Sequence, residues 1–438
     1  MSPPPGGLSL YEPQWHVRPV GHCYQIGLIW LFLRLVLQAA TSLRAAAKVL
    51  KLLASSWGLE ERGPCANSGR LWLLRVGLFE LLRPLQIADD WAVLMDHTIQ
   101  LGPFKCLVIV GIRLSAWQCD RRPLQHDDLT LLNLTPMAKA TGEAVCEQLE
   151  AVVRRIGVPR VVVSDGGTDL KRGMELFRQT RPQTLHRLDF KHKNALLLKK
   201  RLEHDPDWKA FVTSANRVKL STTQTSLAFL NPPSLKTKAR YLNLDTLVQW
   251  GQKALAYLET PPPVSGFTVD QQQVQQKLGW LRGYGSTLGT WSEWLAIIRT
   301  AEAHVQTAGY HRHLRSELRA SLRPLATTPS SRQLLKEMQH FLKRQVARLR
   351  PGERLIGSTE VLESIIGKYK RLQSSHNQGG MTSLLLSMGT FVGKKCPELI
   401  QEALETIQTA DLTQWCRNHL GVTIQSQRRL TLGAIKTG

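Results

Sequence analysis

The sequence predicts an α/β protein, a mixed sheet with flanking helices that is opened by a large α-helical insertion and preceded by an α-helical region. Three observations predict it. Between residues 86 and about 203, short apolar runs and amphipathic patterns follow in the order strand, strand, strand, helix, strand, helix, strand. From 204 to about 350 the strand signals stop and the chain reads as polar helices. Residues 1–85 carry three helical patterns separated by short breaks. The expected division is therefore 1–85, 86–203, 204–350 and 351–438.

The bulk signal is charge. The 438 residues carry a formal net charge of +23, with an isoelectric point near 10.0. That excess points to a polyanion, because lysine and arginine release the counterions of phosphates on binding. The seven cysteines are scattered, with no CxxC pair and hence no zinc signature of that kind. Their spacing suits a reducing compartment, with thiols used as small core groups. The apolar stretch from Ile26 to Ala40 is short of the roughly 20 residues a membrane span needs. Arg34 also interrupts it, so it reads as a buried amphipathic helix and no membrane partner is expected.

Met1 to Gly7 is rich in proline and glycine and reads as disordered. Helices follow from about Tyr24 to Ala40, from a Ser42 cap through Leu43, Ala46, Val49, Leu50 and Leu53, and from Ser68 onward. In the last, Leu71, Leu74 and Leu78 point inward and Arg70 and Arg75 outward. Residues 1–85 hold nine basic and four acidic side chains. Three short helices with tight breaks fit a helix-turn-helix module, with Arg44, Lys48, Lys51, Arg70 and Arg75 toward DNA. They also fit a plain helical bundle packed on the next domain.

Trp91 to Thr98 reads as a strand ending near Asp96, and Lys105 to Leu114 as its hairpin partner across Leu101-Gly102-Pro103-Phe104. Leu129 to Met137 is a third strand. Gly142 to Ile156 is a helix with Val145, Leu149, Val152 and Ile156 in one stripe, ended by Gly157 and Pro159. Val161 to Val163 is a β-branched run that ends on Ser164-Asp165. Thr168 then caps a helix with Leu170, Met174 and Phe177 inward. Thr184 to Phe190 is the last strand; it ends in Asp189-Phe-Lys-His192 and is followed by a basic helix.

That order matches the RNase H-like fold, whose first and fourth strands lie side by side at the centre of the sheet. Asp96 and Asp165 would then sit together at strand ends. Two adjacent carboxylates repel unless a cation lies between them, and oxygen donors suit Mg²⁺ or Mn²⁺ over zinc. Each aspartate alone is more often an ordinary strand-end turn residue; together, in this element order and on this basic chain, the two favour a metal pair.

In the insertion, five tryptophans (Trp208, Trp250, Trp280, Trp291, Trp294) read as core or as base-stacking groups. Pro261 to Pro263 marks a break. Ser331 to Arg350 is an amphipathic helix whose Lys336, Lys343, Arg344, Arg348 and Arg350 are either solvated or laid along a phosphate backbone. Beyond it, Ser358 or Thr359 caps a helix with Val361, Leu362, Ile365 and Ile366 inward. Glu360 and Glu363 are three apart on it, and Lys370 lies two turns beyond Glu363. The end of the chain has no acidic residue after Asp411 but carries Arg417, Arg428, Arg429 and Lys436.

Two strand-end aspartates and a distant helical glutamate resemble the Asp-Asp-Glu (DDE) triad of bacterial insertion-sequence transposases. The likeness rests on LMDHT around Asp96, VVSDGGTDL around Asp165 and GSTEVLESIIGKYK around Glu363. It covers most of 86–203 and 351–390. Glu363 with Lys370 resembles the Glu-x6-Lys part of that signature. The Tyr and Arg that usually precede the glutamate are out of register, so Glu360 stays open as the third acid. Asp189-x-x-His192 resembles the Cys/Asp-x-x-His motif that several eukaryotic-type transposase families carry after their second aspartate, where it supports the catalytic pocket or the flipped base.

The resemblance implies a cytoplasmic, nucleoid-bound transposase that cuts and joins the terminal inverted repeats of its element. Asp96, Asp165 and Glu363 would hold two Mg²⁺ ions, with Mn²⁺ as a substitute. Lys191, Lys193 and Lys370 would bind flanking phosphates, and a homodimer would pair two double-stranded DNA ends. A structure-selective nuclease of the resolvase type and an inactive DNA-binding derivative are the alternatives.

Overall fold

A computed structural model describes residues 12–56, 63–101, 104–118, 122–234, 244–261, 269–375, 381–422 and 424–432. The readings made above for Met1 to Gly7, Gly102-Pro103, Pro262-Pro263 and Lys436 lie outside the described residues. The chain divides into two compact units, Met1–Arg187 with Thr359–Gly438, and Leu188–Ser358. The divisions fall at 187/188 and 358/359, not at 85, 203 and 350. The amino-terminal helices therefore share a unit with the sheet.

The first unit opens with α1 (Ile26–Leu37), α2 (Leu43–Ser56) and α3 (Ala66–Leu82). Ser42 Oγ accepts from Ala45 N at 3.1 Å, so the expected cap of α2 is present. The third helix starts at Ala66, not Ser68, because Cys65 holds the N-cap position and its sulfur accepts from Ser68 N. Buried residues lie on nearly all faces of α3, including Trp72, Leu73, Leu74, Val76, Leu78 and Phe79, as expected of an interior helix. It packs on the segment Ser383–Phe391 so closely that a Cβ on Gly77 would collide with the Leu386 carbonyl.

The sheet follows: β1 (Trp91–Leu101), β2 (Phe104–Arg113), the short helix α4 (Leu114–Gln118), β3 (Thr130–Met137), α5 (Gly142–Ile156), β4 (Val161–Ser164), α6 (Thr168–Thr180) and β5 (Leu185–Leu188). The strand order is β3-β2-β1-β4-β5. Strand β1 is antiparallel to β2 and parallel to β4, and β2 is antiparallel to β3. Helix α5 has the predicted bounds, and Gly157 ends it at φ 83°, a conformation open to glycine. Helix α6 takes Gly167 as its N-cap residue, so Thr168 is its first residue and not its cap. Strand β5 is shorter than expected because Asp189 is already a helix cap.

Side chains alternate across β1. Trp91, Val93 and Met95 join Val145, Leu149 and Val152 of α5 and Leu170, Met174 and Phe177 of α6 in one buried core. The other face of β1 carries Ala92, Leu94 and Asp96. After the second unit the chain returns as α14 (Glu360–Ser374), which packs against β1, and ends in α15 (Pro397–Thr406), α16 (Thr409–His419) and α17 (Ile424–Leu432).

The second unit is helical: α7 (Phe190–Leu202), α8 (Pro206–Thr222), α9 (Asp245–Glu259), α10 (Gln271–Leu278), α11 (Gly285–Ala308), α12 (Leu314–Leu322) and α13 (Pro329–Gln345). Phe211 lies 5.2 Å from the Trp291 ring, 5.5 Å from Trp280 and 5.3 Å from Tyr284, and Trp208 packs edge-on to Trp291 at 5.0 Å. Trp208, Trp291 and Trp294 are buried, while Trp250 and Trp280 are half-buried with their ring N–H groups donating to Leu230 O and Lys277 O. The tryptophans are thus packed within the unit. Among the described cysteines only Cys106 is buried, so the thiols are not generally core groups.

Candidate active site

Met95 of β1 pairs with Ser164 of β4, the last rung of the parallel ladder. The next residue in each segment is an aspartate, Asp96 within β1 and Asp165 just past the end of β4, both half-buried. Alternation along β1 puts Asp96 on the side of the sheet away from α5 and α6, while Asp165 is the first residue past β4, in the turn that leads into α6. Asp96 Oδ1 accepts from His97 N at 2.6 Å and Asp165 Oδ1 from Gly167 N at 2.9 Å.

Helix α14 covers the same side. Burial, and then the neighbouring Cys106 thiol, push the Tyr369 phenol above its ordinary range. Cys106 pairs with Thr98, two residues beyond Asp96 and so on its face. Helix α14 also packs directly on β1 and has Glu360 and Glu363, both half-buried, in its first turn. Val361, Leu362, Ile365, Ile366 and Tyr369 are its buried residues, as the periodicity predicts for the first four. Lys370 is exposed, seven residues beyond Glu363 and hence near the same side of the helix.

The first unit is an RNase H-like domain. Its central parallel pair β1–β4, the flanking antiparallel β2 and β3 and the order β3-β2-β1-β4-β5 carry that assignment. No family model matches the chain, and no curated protein matches its sequence. Among solved structures, the Drosophila P element transposase strand transfer complex is similar at 12% identity, over 89% of this chain and 94% of that one, with a TM-score of 0.38. The HTLV-2 integrase catalytic core domain in complex with magnesium matches 44% of this chain and 97% of its own at 14% identity and a TM-score of 0.16. A simian T-cell lymphotropic virus intasome in complex with PP2A regulatory subunit B56 gamma matches 44% of this chain and 56% of that one, at 12% identity and a TM-score of 0.16.

Beside the Asp165 turn lies a cluster that sequence reasoning missed. Asp169, in the first turn of α6, places Oδ2 at 2.9 Å from Lys105 Nζ and 3.1 Å from His97 Nε2. Burial works to raise the Asp169 carboxyl, but the Lys105 hydrogen bond, the His97 ring and the Leu170 N–H outweigh it and hold it below the usual range. Burial, partly offset by Asp169, holds the His97 imidazole low, so it is neutral near pH 7. Gly167 lies between the two carboxylates: a Cβ there would stand 3.0 Å from Asp165 Oδ1 and 3.1 Å from Asp169 Oδ1.

The amino-terminal residues divide. Arg44, Lys48 and Lys51 are all exposed on α2, spaced to form one stripe. Arg75 does not point outward. It donates to the Leu404 carbonyl at 2.8 Å and to the Ile407 carbonyl, and it lies 3.0 Å from the His22 ring. Arg70 is half-buried and donates to Ser383 Oγ at 2.5 Å. Helix α3 is thus largely interior, and the expectation that Arg70 and Arg75 point outward is corrected: both are engaged by residues of the carboxyl-terminal part of the same unit.

In the second unit, Asp189 is the N-cap of α7. Its Oδ1 accepts from His192 N at 2.7 Å and lies 3.4 Å from His192 Nδ1. The Asp-x-x-His motif is therefore at least a helix cap, which a sequence reading for catalysis overlooks. Lys191 is half-buried, and the Lys193 ammonium lies 5.7 Å from the centre of the Phe341 ring, over apolar surface. An open groove of about 980 Å³ runs between α12 and α13. Arg319, Arg323, Arg332, Lys336, His340 and Lys343 line it, and all six are exposed. Among the described residues no aspartate or glutamate does.

Proposed function

We propose that this protein is a DDE-type transposase that cuts double-stranded DNA and joins the freed end to new DNA. The single observation that supports the reading is the parallel register of β1 and β4, whose last rung, Met95 with Ser164, is followed in each segment by an aspartate, Asp96 and Asp165. An oxygen-only set of Asp96, Asp165 and Glu363, with Glu360 as the other candidate third acid, fits hard divalent cations, Mg²⁺ or Mn²⁺. Such ions, when bound, polarise a phosphoryl oxygen and lower the pKa of water.

The chain's own residues supply the rest. The hydrogen bonds from His97 N and Gly167 N fix the rotation of the two aspartates before substrate arrives. Beside the Asp165 turn, His97 and Lys105 are held by Asp169. Lys370, Lys191 and Lys193 neutralise flanking phosphates. The α2 stripe and the groove between α12 and α13 attract the duplex backbone irrespective of sequence. A homodimer that pairs two ends, on the nucleoid of a bacterial cell, completes the reading.

The test is a strand-transfer assay on duplexes taken from the DNA that flanks the gene. Joined product that requires Mg²⁺ or Mn²⁺ and disappears in Asp165→Asn supports a transposase. Cleavage without joining replaces it with a resolvase-type nuclease, and binding without cleavage with an inactive derivative.

A further inference from the structure

Three side chains of the second unit converge on one point that the proposed chemistry does not use. His304 lies in the last two turns of α11, His311 in the turn after it, and Glu317 on α12. His304 Nε2 is 3.1 Å from Glu317 Oε2, and His311 Nε2 is 3.4 Å from the same oxygen. One ligand-type atom from each of the three lies within 4.8 Å of the others. The two imidazoles are stacked, with ring centres 6.4 Å apart and planes at 27°.

An ordinary hydrogen bond accounts for His304 with Glu317. It does not account for His311, which is only 8% exposed and whose Nε2 makes no hydrogen bond. A buried imidazole nitrogen left so is costly unless something else engages its lone pair. The spacings suggest what does. With metal–ligand bonds of about 2.1 Å, neighbouring ligands of a tetrahedral zinc stand about 3.4 Å apart.

The geometry points to a transition-metal site, best suited to Zn²⁺, formed by His304, His311 and Glu317. Two imidazoles and one carboxylate favour zinc or a similar borderline ion over Mg²⁺, which takes oxygen ligands. Three protein ligands leave one coordination position for water. The metal would tie the end of α11 to α12 through the turn at Tyr310, whose backbone bridges to Leu355. Helix α12 carries Arg319, one wall of the basic groove, so the ion would brace that wall. The site stands whether or not Asp96 and Asp165 catalyse anything.

The test is zinc titration of the full, chelator-stripped chain against a chromophoric competitor. Asp165→Asn serves as the background, so that the acidic pair does not compete. One Zn²⁺ per chain at micromolar affinity or better is expected. His304→Ala and Glu317→Gln, at partly exposed positions that the fold tolerates, should each weaken it about tenfold or more. Cobalt in place of zinc should give the strong visible absorption of a four-coordinate site, and His304→Ala should abolish it. No zinc bound, or affinity unchanged in both variants, overturns the site.

Discussion

Met95 and Ser164 face each other as the last paired residues of two adjacent parallel strands, and each is followed by an aspartate. The two aspartates thus follow one paired rung although they are far apart in the chain. Asp169, with His97 and Lys105 attached to it, stands beside the Asp165 turn.

Asp169→Asn should slow DNA cleavage about tenfold while leaving duplex affinity unchanged, as for other residues that position a site without entering it. Single-turnover rates beside a binding isotherm would show it. The substitution removes the charge that holds Lys105 and His97 next to the Asp165 turn. An unchanged rate would limit the cluster to a role in folding.

In the first unit, Glu80 is 1% exposed and its two oxygens are 2.7 Å from Lys395 Nζ and 2.8 Å from Arg83 Nε. Glu80→Gln leaves Lys395 buried and uncompensated, and should cost about 3–5 kcal/mol. Chemical denaturation would measure it. Glu80→Leu combined with Lys395→Met should recover much of the loss, because a packed apolar pair avoids desolvating two charges.

Glu293 joins α11 to the start of α13. Burial works against its ionisation, but the Thr327 and Ser331 hydroxyls and the N–H and hydroxyl of Thr328 outweigh it and hold its pKa down to about 2. A depressed folded-state value stabilises above the ordinary glutamate pKa, and the contribution is lost as pH falls from about 4.5 toward 2. Melting temperatures recorded across that window should show Glu293→Gln destabilised at pH 6, with the gap to wild type closing toward pH 2.

The groove between α12 and α13 makes its own prediction. Arg319→Ala with Lys336→Ala should weaken duplex binding and lower the slope of log affinity against log salt by about 2, if each contacts one phosphate. A slope equal to that of wild type places the duplex elsewhere.

Much of the RNase H-like unit was legible in the sequence because its elements are marked locally. Helix α5 shows a single apolar stripe and a glycine stop at Gly157, and β4 is three valines in a row before Ser164. Lone arginines misled. Arg75 looks solvent-facing in sequence, yet its carbonyl partner Leu404 lies 329 residues away. The Asp169 cluster was hidden for the same reason, with Lys105 64 residues from its partner. His304, His311 and Glu317 are close in sequence, but thirteen histidines scattered through the chain give that spacing no prominence. The role of Asp189 as a cap was readable, since aspartate three residues before a helical N–H is a common N-terminal signal.

The most direct test of the acidic site is single-turnover nicking of supercoiled plasmid in Mn²⁺, with wild type beside Asp96→Asn, Asp165→Asn and Glu363→Gln, and plasmid binding measured in parallel. The account predicts metal-dependent nicking by wild type, lost by at least about a hundredfold in each variant, with binding kept in all of them. Nicking that persists in Asp96→Asn or Asp165→Asn, or a wild-type protein that binds DNA but never cuts it, would contradict it.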